Sequence, residues 1–343
     1  MQAGKFSSPV RISYILMAAT FVVAGWLHLA APLVAGLFAY LALTKLQFLK
    51  RIKRWMAVLL FILLLSGLTY ALGYVINQTV RALPEIANQA IPTVIQWAKQ
   101  HQIELPFTDY DSLKDTGFDI VKSETHYLAS VARFARGATS EFVAVLVALF
   151  IAIGVFLQPR FELDGEQHAV PNNLYTFCVA EWEQRWRTLF ASFTTVMGAQ
   201  IIISAINTLL TAIFVLVMHL PYGIVVIGVT FLCGLIPVVG NLVSNTIIVG
   251  VGITVSPKTA LVALIFLIVI HKLEYFLNSK IVGDRIRNPF WLTLLALLIG
   301  ERLLGIPGMI LAPVVLHYIR TEASHIEVAE RSVDASSALR CGA

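Results

Sequence analysis

Seventy consecutive residues, Thr188 to Pro257, carry no Asp, Glu, Lys or Arg, and Arg187 and Lys258 bracket them. A spanning helix needs about 20 apolar residues, so this stretch holds about three crossings. Near its middle stands Gly234-Leu-Ile-Pro-Val-Val-Gly240-Asn241. Proline removes a backbone donor and clashes with the preceding turn. Glycine and asparagine tolerate left-handed geometry. The segment therefore reads as helix, break, helix, with the break between Pro237 and Asn241. Irregular backbone at membrane depth survives where protein buries it or where it lines a watery cavity, and broken helices recur at transport sites. A tight turn at the membrane surface accounts for the same residues, and the sequence leaves both readings open.

The rest of the chain belongs to the same solvent. Charged residues make up 13% and hydrophobic residues 58% of the 343, with mean hydropathy +0.79. Soluble domains carry about 25% charged residues. The fold class that follows is an all-α polytopic integral membrane protein, with the lipid bilayer as its first partner. Cys178, Cys233 and Cys341 are scattered and form no C-x-x-C pair, so neither a disulfide framework nor a zinc site is implied. The net charge of +5 reflects basic loops on one side of a membrane rather than a nucleic-acid partner. The apolar run from Ile12 to Thr44 is too long for a secretory signal.

In order, Ile12–Leu29 and Pro32–Thr44 read as coupled helices, possible arms of one hairpin that starts and ends inside, with His28 as a cap or interfacial residue. Lys45, Lys50, Arg51, Lys53 and Arg54 form a short basic loop that stays in the cytoplasm. Trp55–Ile76 is a plain crossing. Asn77–His101 repeats Val80, Leu83, Ala87, Ala90, Ile91, Val94 and Ala98 at helical spacing, an amphipathic helix lying on the membrane or on its neighbours. Glu104–Gly137 reads as a solvated polar loop; Asp109, Asp111, Asp115 and Asp119 lack the glycine and closing Glu of a calcium loop. Phe142–Pro159 returns inward, and Trp182 and Trp186 mark an interfacial helix before Thr195–His219 crosses outward. Pro221–Ile236, Leu242–Val255 and Thr259–Phe276 then cross in turn. Lys280, Arg285 and Arg287 form a second inner basic cluster. Pro289–Tyr318 is split by Glu301-Arg302, Gly305, Pro307 and Gly308 into a terminal hairpin. This gives about six full transmembrane helices plus hairpins or re-entrant pairs near both ends. The units are 1–76, 77–137, 138–195, 196–320 and a disordered tail 321–343, with both termini cytoplasmic in a bacterial inner membrane. Association into a homo-oligomer is compatible with such a surface.

Charges inside spanning helices cost at least ~2.5 kcal/mol at the bilayer centre. Glu274 is therefore the most informative acid, and His271 shares its helical face. The pair reads as proton or cation coupling in a cavity, or as an interfacial Glu paired with Lys272 or Lys280. Gln200, Asn207, Asn241 and Asn245 line a pathway or tie helices together. Pro237 and Gly240 make the break. A site inside the charge-free stretch has to bind through backbone carbonyls, amides and helix ends, whose partial charges are about half a unit. Gly250 and Gly252 allow close helix packing. His271-x-x-Glu274 is not H-E-x-x-H, and there is no G-x-S-x-G and no phosphate-binding loop, so neither an enzyme nor a nucleotide-powered pump is indicated and no cofactor is called for.

Taken together, Gly198-Ala-Gln200, Leu220-Pro-Tyr-Gly223, Leu235-Ile-Pro237-Val-Val-Gly240, Leu273-Glu274, Asn278, Lys280-Ile-Val-Gly283, Asn288-Pro289, Gly300, Gly305, Gly308 and Ala312-Pro313 form an ordered set. With this set, the chain from about Ile12 to Arg320 resembles the autoinducer-2 exporter family of bacterial permeases. It departs from that pattern at Asn288 and at Glu301-Arg302. The resemblance implies a secondary transporter exporting a small polar solute such as autoinducer-2. Some members are similar to sodium/proton antiporters, which makes ion exchange the alternative, and a non-transporting accessory protein is a third class. It also adds Asn278 to the candidate pathway or coupling residues.

Overall fold

The computed structural model describes residues 8–47, 52–102, 127–158, 174–236, 239–277 and 289–326. The elements are α1 (Ser8–Trp26), α2 (Ala30–Gln47), α3 (Arg54–Gln100), α4 (Tyr127–Leu157), α5 (Leu174–Val217), α6 (Gly223–Gly234), α7 (Val239–Val255), α8 (Pro257–Leu277) and α9 (Phe290–Ser324). The protein is an all-helical polytopic membrane protein. Among the described residues, α1, α2, α3, α5 and α9 are long and apolar enough to cross a membrane. Trp26, Tyr70 and Phe150 stand open on the helix surfaces, as lipid-facing side chains do.

Two helices are much longer than their apolar runs. α3 has 47 residues and α5 has 44, about 70 and 66 Å at 1.5 Å per residue. A bilayer with its headgroups is about 40–45 Å thick, so both extend well beyond it. The expected division at Ile76–Asn77 does not occur, and neither does the one before Thr195. A change from apolar to amphipathic pattern does not end a helix; that takes a breaker, and none stands at either point. Pro84 and Pro92 are absorbed within α3. Its second half packs on neighbouring helices, burying Ala82 and Ile86. The expected polar loop is also shorter, because α4 starts at Tyr127; the four aspartates from 109 to 119 lie outside the described residues.

Helix ends follow local chemistry. Two histidines close helices with positive φ, His28 (φ 53) and His219 (φ 49). After each, the next amide reaches five residues back: Leu29 N–H to Ala24 C=O at 2.8 Å, and Leu220 N–H to Val215 C=O at 3.0 Å. This is the Schellman closure. The first break is therefore at Leu27–Leu29, and Pro32 sits in the opening turn of α2, where a missing N–H costs little. α8 opens with Ser256, whose Oγ accepts the Thr259 N–H at 3.1 Å, followed by Pro257.

The first two helices do not form a tightly packed hairpin. α1 lies mainly against α5, and α2 mainly against α4. α9 does fold back on itself. Gly305 has φ 64 and ψ −147, and a Cβ built on Gly300 would lie 2.5 Å from the Gly308 carbonyl oxygen. In a straight helix those residues would be about 12 Å apart. Glu301 and Arg302 are exposed at this turn, 3.9 Å from each other. The first residues of the expected tail are helical, since α9 runs to Ser324 and buries Glu322.

Three apolar clusters hold the helices. Met17, Val34, Leu189, Phe193 and Val314 join α1, α2, α5 and α9. Phe214, Val226, Ile248, Val251 and Leu267 join α5 to α8, with α3 beside them. Leu43, Phe61 and Phe156 join α2, α3 and α4. α5 runs through the first two and so connects them.

Candidate functional site

α6 ends at Gly234 and α7 begins at Val239. At 12 residues α6 rises about 18 Å, too little to cross a hydrocarbon layer of about 30 Å; the expected Pro221–Ile236 crossing is a short helix that turns back. Leu235 and Ile236 leave the helix in a turn, and Pro237 and Val238 lie outside the described residues. Gly240 and Asn241 are already helical, and the left-handed geometry expected there is not used. Gly240 is needed for closeness instead, because a Cβ on it would overlap the Cys233 carbonyl. The α6 and α7 ends therefore pack backbone to backbone.

α5 carries Gln200, Ser204 and Asn207 on one face of its helix. Gln200 Nε2 donates to the Gly234 carbonyl at 2.6 Å, and Ser204 Oγ donates to the Phe231 carbonyl at 2.9 Å. Both satisfy backbone acceptors freed at the end of α6. Gln200 thus takes the second of the two roles open to it in the sequence, a tie that holds the break against α5.

Beyond this tie the polar groups converge on α8. Asn241 Nδ2 lies 3.1 and 3.0 Å from the two Glu274 carboxylate oxygens. Asn207 Nδ2 is 3.5 Å from Glu274 Oε2, and His271 Nδ1 is 3.4 Å from the same oxygen. Asn245 Nδ2 reaches His271 Nε2 at 2.7 Å. An amide nitrogen only donates, so as placed Nε2 accepts, and Nδ1 is the ring nitrogen on the Glu274 side. Glu274 does not pair with Lys272 in this structure, and Lys280 lies outside the described residues; the carboxylate accepts from two amides, with an imidazole nitrogen nearby. The spacings that put His271 with Glu274, and Asn241 with Asn245, on single helix faces bring them together here. Asn278 lies outside the described residues.

A cavity of about 20 Å³ adjoins these groups, lined by Asn207, Asn241, Asn245, His271 and Glu274 together with Thr211, Thr230 and Ser244. That is room for about one water molecule. The sequence reading missed the three hydroxyls. A Thr or Ser inside an apolar run usually bonds its own helix, as Thr230 does to the Val226 carbonyl at 2.7 Å, so only the tertiary placement distinguishes them. The charge-free stretch does receive a formal charge, supplied by α8 from outside its limits. α6 brings a negative helix end and α7 a positive one to the same place. These offset one another, and Glu274 supplies the net charge.

Elsewhere, a wider hollow of about 320 Å³ lies between α3 and α6, lined by Tyr74, Gln78, Arg81, Glu85 and Tyr222. The Tyr222 hydroxyl donates to Glu85 at 3.1 Å. Glycine packing tightens α7 on α8, where a Cβ on Gly252 would come within 3.1 Å of Ala260 Cα; Gly250 meets Ile86 at an ordinary 3.8 Å.

The chain is similar to three curated proteins. It is 26% identical over 88% of its length to a sodium-lithium/proton antiporter of Halobacillus andaensis, covering 92% of that protein. It is 25% identical to the Bacillus subtilis (strain 168) protein named "Putative transport protein YdbI", over 77% of this chain and 75% of the relative. With "Putative transport protein YueF" of the same organism it shares 26% identity over 82% of this chain and 79% of the relative. The family model described as AI-2E family transporter matches residues 12–325. Helices apolar enough to span, a polar site at a broken helix and this match over nearly the whole chain make the protein a multi-pass membrane transporter of the AI-2E family.

Proposed function

We propose that the chain is a secondary transporter that exchanges a small cation for protons at Glu274, with His271 relaying the proton. The observation that carries this reading is an acid that, among the described residues, meets amides and an imidazole but no Lys or Arg, beside a cavity of about 20 Å³. A carboxylate without a fixed cation can take either a proton or a metal ion in its place. The cavity suits a bare ion and leaves no room for a hydroxylated solute such as autoinducer-2. By helix rise, Glu274 stands about 25 Å along α8 from Pro257, and Asn241 about 21 Å along α7 from Val255. With the α7–α8 turn at the outer surface, the carboxylate falls beyond the middle of a hydrocarbon layer of about 30 Å. Charges there are rare and usually functional. The antiporter relative supports the same exchange.

A second reading, export of a polar solute such as autoinducer-2, is favoured by the 320 Å³ hollow beside Tyr222 and Glu85, since small-molecule pockets run to about 300–1,000 Å³. For topology, we place the membrane as the bacterial inner membrane and both termini in the cytoplasm. The basic residues from Lys45 to Arg54 carry the orientation, and Arg54 bonds the Leu157 carbonyl at 2.9 Å, which puts the end of α4 on that side. In a variant without native cysteines, a cysteine at Gln102 should label from outside intact cells and one at Lys53 should not; the reverse would invert the topology.

Purified protein in liposomes with an internal pH dye tests the exchange. A sodium gradient should drive proton movement, and Glu274→Gln should lower its rate at least about tenfold, or about 1.4 kcal/mol. Undiminished exchange in folded Glu274→Gln contradicts the proposal. Flux of autoinducer-2 that ignores sodium and Glu274 supports the second reading.

A further inference from the structure

We infer that the cavity is a seat for one dehydrated alkali cation of sodium or lithium size, bound between the Glu274 carboxylate and the Asn207 Oδ1, with the Thr230 and Ser244 hydroxyl oxygens completing its shell. The inference rests on Glu274 as the exchanging group and adds the ion's ligands and size class. Asn207 is 7% exposed and lines the cavity, and its Oδ1 is buried without a hydrogen-bond partner. A buried amide oxygen left bare is costly, and it marks a place where a guest supplies positive charge. Thr230 donates its hydroxyl proton to the Val226 carbonyl at 2.7 Å, and Ser244 donates to the Asn241 carbonyl at 3.2 Å. With those protons committed, the two hydroxyls have only lone pairs left for the cavity they line.

Charge and volume select the ion. Among the described residues no three His, Cys, Asp or Glu side chains come together as a metal-ligand group, and Glu274 is the cavity's single acid. One carboxylate neutralises one monovalent cation, whereas a divalent ion would leave an uncompensated positive charge in an apolar surround. Carboxylate, amide and hydroxyl oxygens are hard ligands. A cavity that holds about one water admits the bare ion without its hydration shell. Entry of the cation displaces the proton from Glu274, so the two occupy the carboxylate in turn.

The test uses the purified full-length protein, titrated with NaCl, LiCl or KCl at constant ionic strength in choline chloride, reading melting temperature and binding of radioactive sodium. Sodium and lithium should stabilise the protein saturably, and potassium should bind at least about tenfold more weakly. Asn207→Leu should raise the sodium dissociation constant at least about tenfold, while Asn207→Asp, which keeps an oxygen, retains binding. Thr230→Val, nearly the same shape without the oxygen, should weaken sodium binding about threefold or more and serves if Asn207→Leu fails to fold. Wild-type affinity in both Asn207→Leu and Thr230→Val overturns this seat. Potassium binding as tightly as sodium overturns the size class. If sodium does not bind at all while Glu274→Gln still abolishes proton-coupled flux, the cation assignment falls and the proton role of Glu274 survives. If that flux is unaffected, the functional reading falls with it.

Discussion

A half-buried carboxylate, Glu274, and a buried one, Glu322, lie along α5, and their partners differ. Glu274 is met by the Asn241 and Asn207 amides, with His271 Nδ1 at 3.4 Å and a cavity beside it. Glu322, on α9, is met by Arg185 at 2.5 Å and by the Tyr14 hydroxyl at 3.1 Å; Arg185 also reaches Glu181 at 3.0 Å and lies 4.3 Å above the Tyr14 ring. A guanidinium is charged at every working pH. The Glu322 charge is therefore permanently matched, and the cluster clamps α1, α5 and α9 together. Among the described residues Glu274 meets no fixed counter-charge, which in the proposed function leaves it open to a proton or a cation in turn. The same residue type is a clamp in one setting and, in the proposed function, an exchange site in the other, and the charge of its neighbours makes the difference.

The comparison can be broken at either end. The largest effect on stability is expected at the clamp. Arg185→Met strands Glu322, 7% exposed in its side chain, and breaking a buried pair costs about 3–5 kcal/mol. Melting in detergent should fall steeply, and Arg185→Met with Glu322→Leu should recover much of the loss. If the single change leaves melting untouched, the pair is no clamp. A smaller effect is expected at the helix break. Gly240→Ala forces a methyl against the Cys233 carbonyl, an overpacking worth about 1–3 kcal/mol. Because the α6–α7 ends position Asn241, exchange should weaken along with melting; normal exchange and melting would show that the close approach is dispensable. The smallest effect belongs to Glu301 and Arg302, exposed and 3.9 Å apart at the α9 turn. Replacing both by alanine should move stability by no more than about 0.5 kcal/mol, and a large loss in melting or exchange would mean the turn has a role beyond connection.

The two sites were not equally legible in the sequence. Glu274 with His271, and Asn241 with Asn245, were visible because helical spacing puts each pair on one face, and a charge or amide in an apolar run is conspicuous. The break was visible from Pro237 and Gly240, but not its geometry: the sequence suggests left-handed backbone where the structure uses glycine for contact between helix ends. Glu322 was hidden because it follows the last apolar run and resembles tail, and its partner Arg185 sits in a segment that reads as interfacial. Only tertiary packing across 137 positions joins them. The great lengths of α3 and α5 were missed because hydropathy reports solvent, and a helix continues past the bilayer wherever nothing breaks it.

The central claim is that Glu274 gives up a proton when a cation arrives. Proton release on adding sodium to weakly buffered, detergent-solubilised protein measures this directly. The account predicts release of up to about one proton per chain in the wild type, as expected when a ligand must be deprotonated to bind a metal ion, and none from Glu274→Gln. Equal release from folded Glu274→Gln, or none from wild-type protein that demonstrably binds sodium, would contradict it.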